Sequence, residues 1–317
     1  MSFEPIDLTK IKTYPLKERK NKVKIEDFID LDLFYGNFLD YFNSMPSILA
    51  ANDLREVSNL IVNAYNNKKP VILAMGAHVI KCGLSPLIIE LMKKKIITAI
   101  AFNGAGAIHD FEISYIGETS EDVAENIIEG VFGMAEESPQ LINEAINNCL
   151  EKEIGIGQAI AEKIISLNCP YKEYSILYQG LQLQIPITIH VAIGTDIIHQ
   201  HKNCNGAALG KGSFHDFKIF ANQIIKLDEG GVYLNIGSAV ILPEVFLKAL
   251  TIARNLGNKV CSFTTVNFDR ILHYRPKVNV IQRPTQEGGS GFSLIGHHEI
   301  MIPLLAKLIL EKIKLLG

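Results

Sequence analysis

Val71-Ile72-Leu73-Ala74-Met75-Gly76-Ala77-His78-Val79-Ile80-Lys81-Cys82-Gly83, followed by Ile97-Thr98-Ala99-Ile100-Ala101-Phe102-Asn103-Gly104-Ala105-Gly106-Ala107-Ile108-His109-Asp110, is the stretch that decides the fold. Each half is a short apolar run that stops at a glycine-bearing turn and passes into a helical pattern. Strand, turn and helix, twice over, is the arrangement that presents main-chain N–H groups and helix N-termini to a phosphate-bearing ligand. A nucleotide cofactor is therefore the leading expectation.

Working outward, the same alternation continues. Apolar runs at Val71–Met75, Ile97–Phe102, Ile187–Ala192, Val232–Ile236 and Val260–Val266 read as strands, and Val278–Ile281 as a further edge strand. Helical spacing covers Asn52–Asn66, Ser85–Lys94, Ser120–Ile128, Pro139–Leu150, Gly157–Ser166, Tyr174–Leu183, Phe217–Ile225, Pro243–Asn255 and Glu299–Leu316, with Pro86 in a first turn and Ser120 and Ser138 placed as caps. Short strands, apolar throughout and separated by helices, predict an α/β fold whose central parallel sheet is flanked by helices, Rossmann-like in type. Residues 1–26 read as a polar N-terminal arm and 27–317 as a single α/β nucleotide-binding domain. The aromatics between Ile25 and Phe42 fall at helical spacing and read as core or subunit contact.

Composition narrows the function classes. Lys and Arg number 31 against 34 Asp and Glu, a formal net charge of −3, which is not a nucleic-acid footprint. The 5 cysteines are scattered, with no Cys-x-x-Cys pair, so free thiols and a cytoplasmic setting are expected. No run reaches the roughly 18 apolar residues of a membrane span.

Four segments in order resemble the deoxyhypusine synthase family. They are Gly83 with the helix after it; Asn103-Gly104-Ala105-Gly106-Ala107-Ile108-His109-Asp110; Tyr174-Ser175-Ile176-Leu177-Tyr178 with Ile185-Pro186-Ile187 and Gly194-Thr195-Asp196; and Tyr233-Leu234-Asn235-Ile236-Gly237-Ser238-Ala239-Val240. The resemblance extends over about residues 70–310. It implies NAD as cofactor, a homotetramer with sites between subunits, and a transferase that dehydrogenates a small amine and passes part of it to an acceptor. It also implies that Gly76, His78, Asn103, Gly104, Gly106, Asp110, Gly194, Thr195, Asp196, Gly237, Ser238, Thr264 and Thr265 lie near NAD, with Asp196 or Asp110 on ribose hydroxyls.

The chain also departs from that family. It has no tryptophan, so the family's Ser-Trp-Gly-Lys segment is absent, and Lys277 is the nearby lysine. Pro243-Glu244 stands where a histidine follows the family's glycine turn, and the acidic Gly-Ser-Asp-Ser-Gly loop is reduced to Glu287-Gly288-Gly289-Ser290-Gly291. Glu287, Gly289 and Ser290 are the candidate substrate residues. His109, His215, Asp216, His297 and Lys277 are the candidate catalytic residues, the histidines because imidazole titrates near neutrality.

The segment from His199 to Asp216 reads as a long polar loop over the substrate, with Lys211, His215 and Asp216 as contacts. His199, His201, Cys204 and His215 match no standard metal spacing, so no metal is expected. Two alternatives stay open: a nucleotide-binding protein without catalysis, and a hydrolase or lyase that uses the histidines.

Overall fold

The computed structural model describes residues 3–315. Its contacts divide the chain into two compact units, 1–52 and 53–317. In the first, single turns at Leu16–Glu18 and Ile25–Asp27 precede two short helices, α1 (Leu31–Phe34) and α2 (Phe38–Ser44). The helix expected over 25–42 is broken because side chains cap twice within it. Asp30 accepts from the N–H of Asp32 and Leu33, and Asn37 from those of Leu39 and Asp40. Phe34 meets Tyr35 and Tyr41 edge to face, each at 5.4 Å between centroids.

The second unit is built on one sheet. Its strands are β1 (Val71–Met75), β2 (Ala99–Asn103), β3 (Ile187–His190), β4 (Val232–Ile236), β5 (Thr264–Asp269) and β6 (Ser290–Ile295). They lie in the order β3-β2-β1-β4-β5-β6, every pair parallel. The expected α/β architecture is therefore present, and the chain reverses its direction of travel across the sheet between β1 and β4. In sheets of this kind ligands bind beyond the strands' carboxyl ends at that point.

The helices are α3 (Leu49–Asn66), α4 (His78–Lys81), α5 (Ser85–Lys93), α6 (Gly104–Ile116), α7 (Val123–Asn126), α8 (Glu137–Asn147), α9 (Ile156–Ser166), α10 (Ile176–Gln182), α11 (Gly206–Ile224), α12 (Ile241–Asn255) and α13 (His298–Lys314). β1 and β4 are buried along their whole length, as a sheet covered on both faces requires. Tyr233 of β4 stacks on Phe246 of α12 at 3.8 Å, in a core that also takes Phe220 of α11. Among the described residues no helix is long and apolar enough to cross a membrane.

Two elements differ from expectation. The polar loop over 199–216 is mostly helix: Asn205 caps α11 by accepting from Ala207 and Ala208, and the helix runs on through the glycines. Gly212 is needed for packing, since a Cβ there would sit 2.8 Å from Ile156 and 2.9 Å from Cys149. The edge strand is β6, whereas Val278–Ile281 lies in a π-helix, Pro276–Gln282, opened by a proline that has no N–H to give a strand ladder.

Candidate functional site

At the point where the strand order reverses, the turns after β1 and β4 meet main chain to main chain. A Cβ on Gly76 would lie 2.2 Å from the carbonyl oxygen of Gly237, so neither turn tolerates a side chain between them. Gly237 has φ +65°, and its α-carbon packs on the imidazole of His298, where a Cβ would come within 2.7 Å. His298 opens α13 and is 1% exposed, and neither ring nitrogen has a hydrogen-bond partner. Burial holds its pKa below the ordinary histidine value, although Asp269 pulls the other way. The exposed ring of His78 lies 5.4 Å from it, centroid to centroid.

Beside α6 lies a cleft of ≈ 620 Å³ that receives residues from α4, α6, the 118–138 segment and the turn after β3. Ile108, Ile116, Val123 and Phe132 give it apolar walls, and Lys81, His109, Glu112, Glu118, Glu137 and Asp196 line it with charge-bearing groups. His109 and Glu112 are three apart on α6 and therefore share a face. His109 Nδ1 lies 2.6 Å from Thr119 Oγ1 and 3.7 Å from Glu112 Oε2, and the Thr119 hydroxyl donates to Glu112. Burial opposes charge on Glu112, but hydrogen bonds from His109, Thr119 and Ser138 together hold its carboxyl below the usual range. Glu121 is occupied in structure, accepting from Gly133 N–H at 2.9 Å and from Asn126 Nδ2 at 2.8 Å.

The expected site residues divide by position. Gly76, His78, Gly237, Ser238 and His297 stand at the carboxyl edge near the reversal point. His109, Thr195 and Asp196 line the cleft. Gly194 is next to them, its N–H 3.1 Å from His199 Nδ1. The Asn103–Gly106 turn caps itself: Asn103 Oδ1 accepts from Gly106 N–H at 3.0 Å, and the Asp196 carboxylate from that of Ala105. Its amides are therefore engaged at the start of α6, and it is the turns after β1 and β4 that face each other at the reversal point. Asp196 Oδ2 is nevertheless buried without a partner, 4.0 Å from His199 Nε2.

Other expectations are corrected by geometry. Asp110 is fully buried and caps α10, accepting from Ser175 Oγ at 2.5 Å, Ile176 N–H at 2.7 Å and Leu177 N–H at 3.1 Å, so its carboxylate is enclosed in the core and presents no surface to a ribose. Asp216 is likewise buried in mid-α11, receiving the N–H groups of Ile189 and Gly157, and its neighbour His215 is not a lining residue of the cleft. Thr264 and Thr265 begin β5 and so lie at the amino edge of the sheet. Glu287, Gly289 and Ser290 precede or open β6 and share that edge, a strand's length from the reversal point. Lys277 is exposed on the π-helix and is not a lining residue of the cleft. His201 binds the Gly133 carbonyl at 2.8 Å, and His215 stands apart from it on α11.

Sequence reading missed Lys81, Glu112, Glu118, Thr119 and Glu137 as site residues. The one usable signal was the three-residue spacing of His109 and Glu112 on a helix.

No protein-family model matches the chain. A curated protein of Thermoplasma acidophilum named "Probable deoxyhypusine synthase" is 25% identical over 177 residues, covering 51% of this chain and 56% of that protein. The match thus spans about half of the relative's length. A crystal structure of a candidate deoxyhypusine synthase from Entamoeba histolytica superposes with TM-score 0.51 at 12% identity, over 89% of this chain and 95% of that one. AgrE in ternary complex with ornithine and NAD+ superposes with TM-score 0.55 at 12% identity, over 82% of this chain and 33% of that one. The resemblance to deoxyhypusine synthases read from the sequence is borne out by the first of these similarities, and the α/β fold by the structures.

Proposed function

We propose that the protein is an NAD-dependent transferase acting on a small amine held in the cleft beside α6. The observation that carries this reading is the cleft's chemistry: Glu118 and Glu137 line it without a partner among the described residues, next to an imidazole tied to a second carboxylate. An ammonium group leaving water needs such carboxylates in its place. The apolar walls suit the methylene chain of such an amine. His109 is the group placed to take a proton from the bound ammonium. Lys81 is the primary amine that lines the cleft and so the acceptor for a transferred group, a role in which it displaces Lys277.

The carboxyl edge fits a dinucleotide. Asp196 Oδ2 and both nitrogens of His298 are buried polar atoms lacking partners, and a nucleotide supplies donors and acceptors. Gly76, His78, Gly237, Ser238 and His298 would hold NAD, which supplies a hydride acceptor when bound. The similarity to a deoxyhypusine synthase supports the same reading. Ile127, Ile128 and Met134 are exposed near the cleft and support a subunit contact there, as in a homotetramer.

Isothermal titration tests the reading: NAD first, then 1,4-diaminobutane into the saturated protein. Saturable heat from both is expected, with the diamine affinity falling at least tenfold in Glu118→Gln/Glu137→Gln. Absence of heat from either ligand refutes it. A second reading, binding without turnover, follows from the exposed position of Lys277 outside the cleft. It predicts the same heats with no product from any acceptor amine.

A further inference from the structure

We infer that Glu112 and Thr119 are positioning residues that fix the tautomer of His109, so that its Nε2 is the proton-accepting atom in the cleft. This rests on the reading of that cleft as the site of chemistry. The tautomer follows from counting protons. A threonine hydroxyl has a single proton. In Thr119 that proton points to Glu112 Oε2, an acceptor that has none to give once ionised. The Thr119 oxygen can then only accept from His109 Nδ1, 2.6 Å away, so the imidazole proton sits on Nδ1. The lone pair is left on Nε2.

The chain Nδ1–H to Oγ1–H to carboxylate runs through half-buried groups: the His109 side chain is 18% exposed and that of Glu112 15%. The Glu112 carboxylate also accepts from Ser138, in the first turn of α8, where the helix dipole favours a negative charge. When a substrate ammonium gives its proton to Nε2, the products are a neutral amine and an imidazolium, and Glu112 stabilises that cation through Thr119. No other reactant is consumed. The other charged groups lining the cleft are Lys81 on α4, Glu118 and Glu121 on the following segment, Glu137 on α8 and Asp196 on the turn after β3. They stay in place in every variant below.

The test is a nitrogen-15 histidine side-chain titration of the whole chain, with the His109 signals assigned by their loss in His109→Asn. In the wild type at high pH, Nε2 should give the unprotonated, pyridine-type signal and Nδ1 the protonated one. Thr119→Ala should release the imidazole to the other tautomer, while Thr119→Ser, which restores the hydroxyl, should keep the wild-type pattern. Glu112→Leu, which leaves the Thr119 hydroxyl free to donate to Nδ1 instead, should likewise release the imidazole to the other tautomer.

A wild-type imidazole protonated on Nε2 overturns the inference, as does a tautomer unchanged in Glu112→Leu. Because Thr119→Ser nearly preserves volume and Glu112→Leu is a second variant, the result does not depend on Thr119→Ala folding. The diamine titration fails or succeeds separately. If no amine binds, the reading of the cleft falls while the tautomer result still stands or falls on the spectra.

Discussion

Replacing Asp110 separates a helix-capping role from a ribose-binding one. Three donors converge on its carboxylate: the Ser175 hydroxyl and the N–H groups of Ile176 and Leu177. In Asp110→Ala all three become buried donors without acceptors, at about 1–3 kcal/mol each. Relaxation and water entry recover part of that, so a loss of about 3–5 kcal/mol is expected, against a total stability of about 5–15 kcal/mol for an ordinary domain.

Asp110→Asn adds a pH signature. Burial raises the Asp110 pKa from 3.8 to about 6, against the pull of its three hydrogen bonds. A carboxyl whose folded pKa is raised contributes stability that is complete below the unfolded value and is lost as pH climbs through the folded one. The shift of about two units corresponds to about 3 kcal/mol. Urea denaturation should therefore show the wild type losing about that much relative to Asp110→Asn between about pH 4 and pH 7. NAD affinity per folded molecule should be unchanged in both variants. Asp110→Ala within about 1 kcal/mol of the wild type, or a tenfold loss of NAD affinity with stability intact, would refute the capping argument and return Asp110 to the cofactor.

Asp216 carries the same sign: burial lifts its pKa to about 7, so stability relative to Asp216→Asn should fall as pH rises from about 4 to 7, and a thermal-unfolding series with the opposite slope would contradict this. Gly76→Ala drives a methyl into the Gly237 carbonyl and should reduce NAD affinity by at least tenfold in calorimetry. A Cβ at Gly210, in α11, would meet nothing within 4 Å, so Gly210→Ala should raise stability by about 0.5–1 kcal/mol in urea. Lys277→Ala should leave diamine affinity as it is, whereas Lys81→Ala should abolish labelling of the protein when the amine–NAD mixture is trapped with borohydride.

Much of the fold is legible because β1 is a continuous apolar run and β4 is apolar but for Asn235, each bounded by a proline or glycines and by a turn. Their observed limits are those the sequence predicts. Legibility failed where tertiary contacts override composition. Gly206, Gly210 and Gly212 suggest a loop, yet Asn205 starts a helix, and Gly212 lets that helix pack closely where it meets Cys149 and Ile156. β6 carries two serines and a glycine and is half-exposed, so it lacks the hydrophobic signature that the π-helical Val278–Ile281 happens to show.

Of the candidate site, the glycine turns and His109 are the parts that the sequence singles out. It was misplaced wherever a strand's direction matters. Reading β5 as Val260–Val266 set Thr264 and Thr265 at its carboxyl end, and a shift to Thr264–Asp269 moves them to the other. The carboxylates of the cleft belong to no motif. Glu118 and Glu137 line one cleft only because the chain turns back between α6 and α8.

The pairing of β1 with β4 has a further consequence for how the molecule assembles. Val71 bonds beside Val232, so about 160 residues must be closed into a loop before the middle of the sheet exists. That closure carries a high entropic cost before any contact rewards it. Refolding should be slow for a chain so rich in helix, and a nascent chain released before β4 emerges will carry an unzipped, sticky edge on β1 that chaperones are suited to shield.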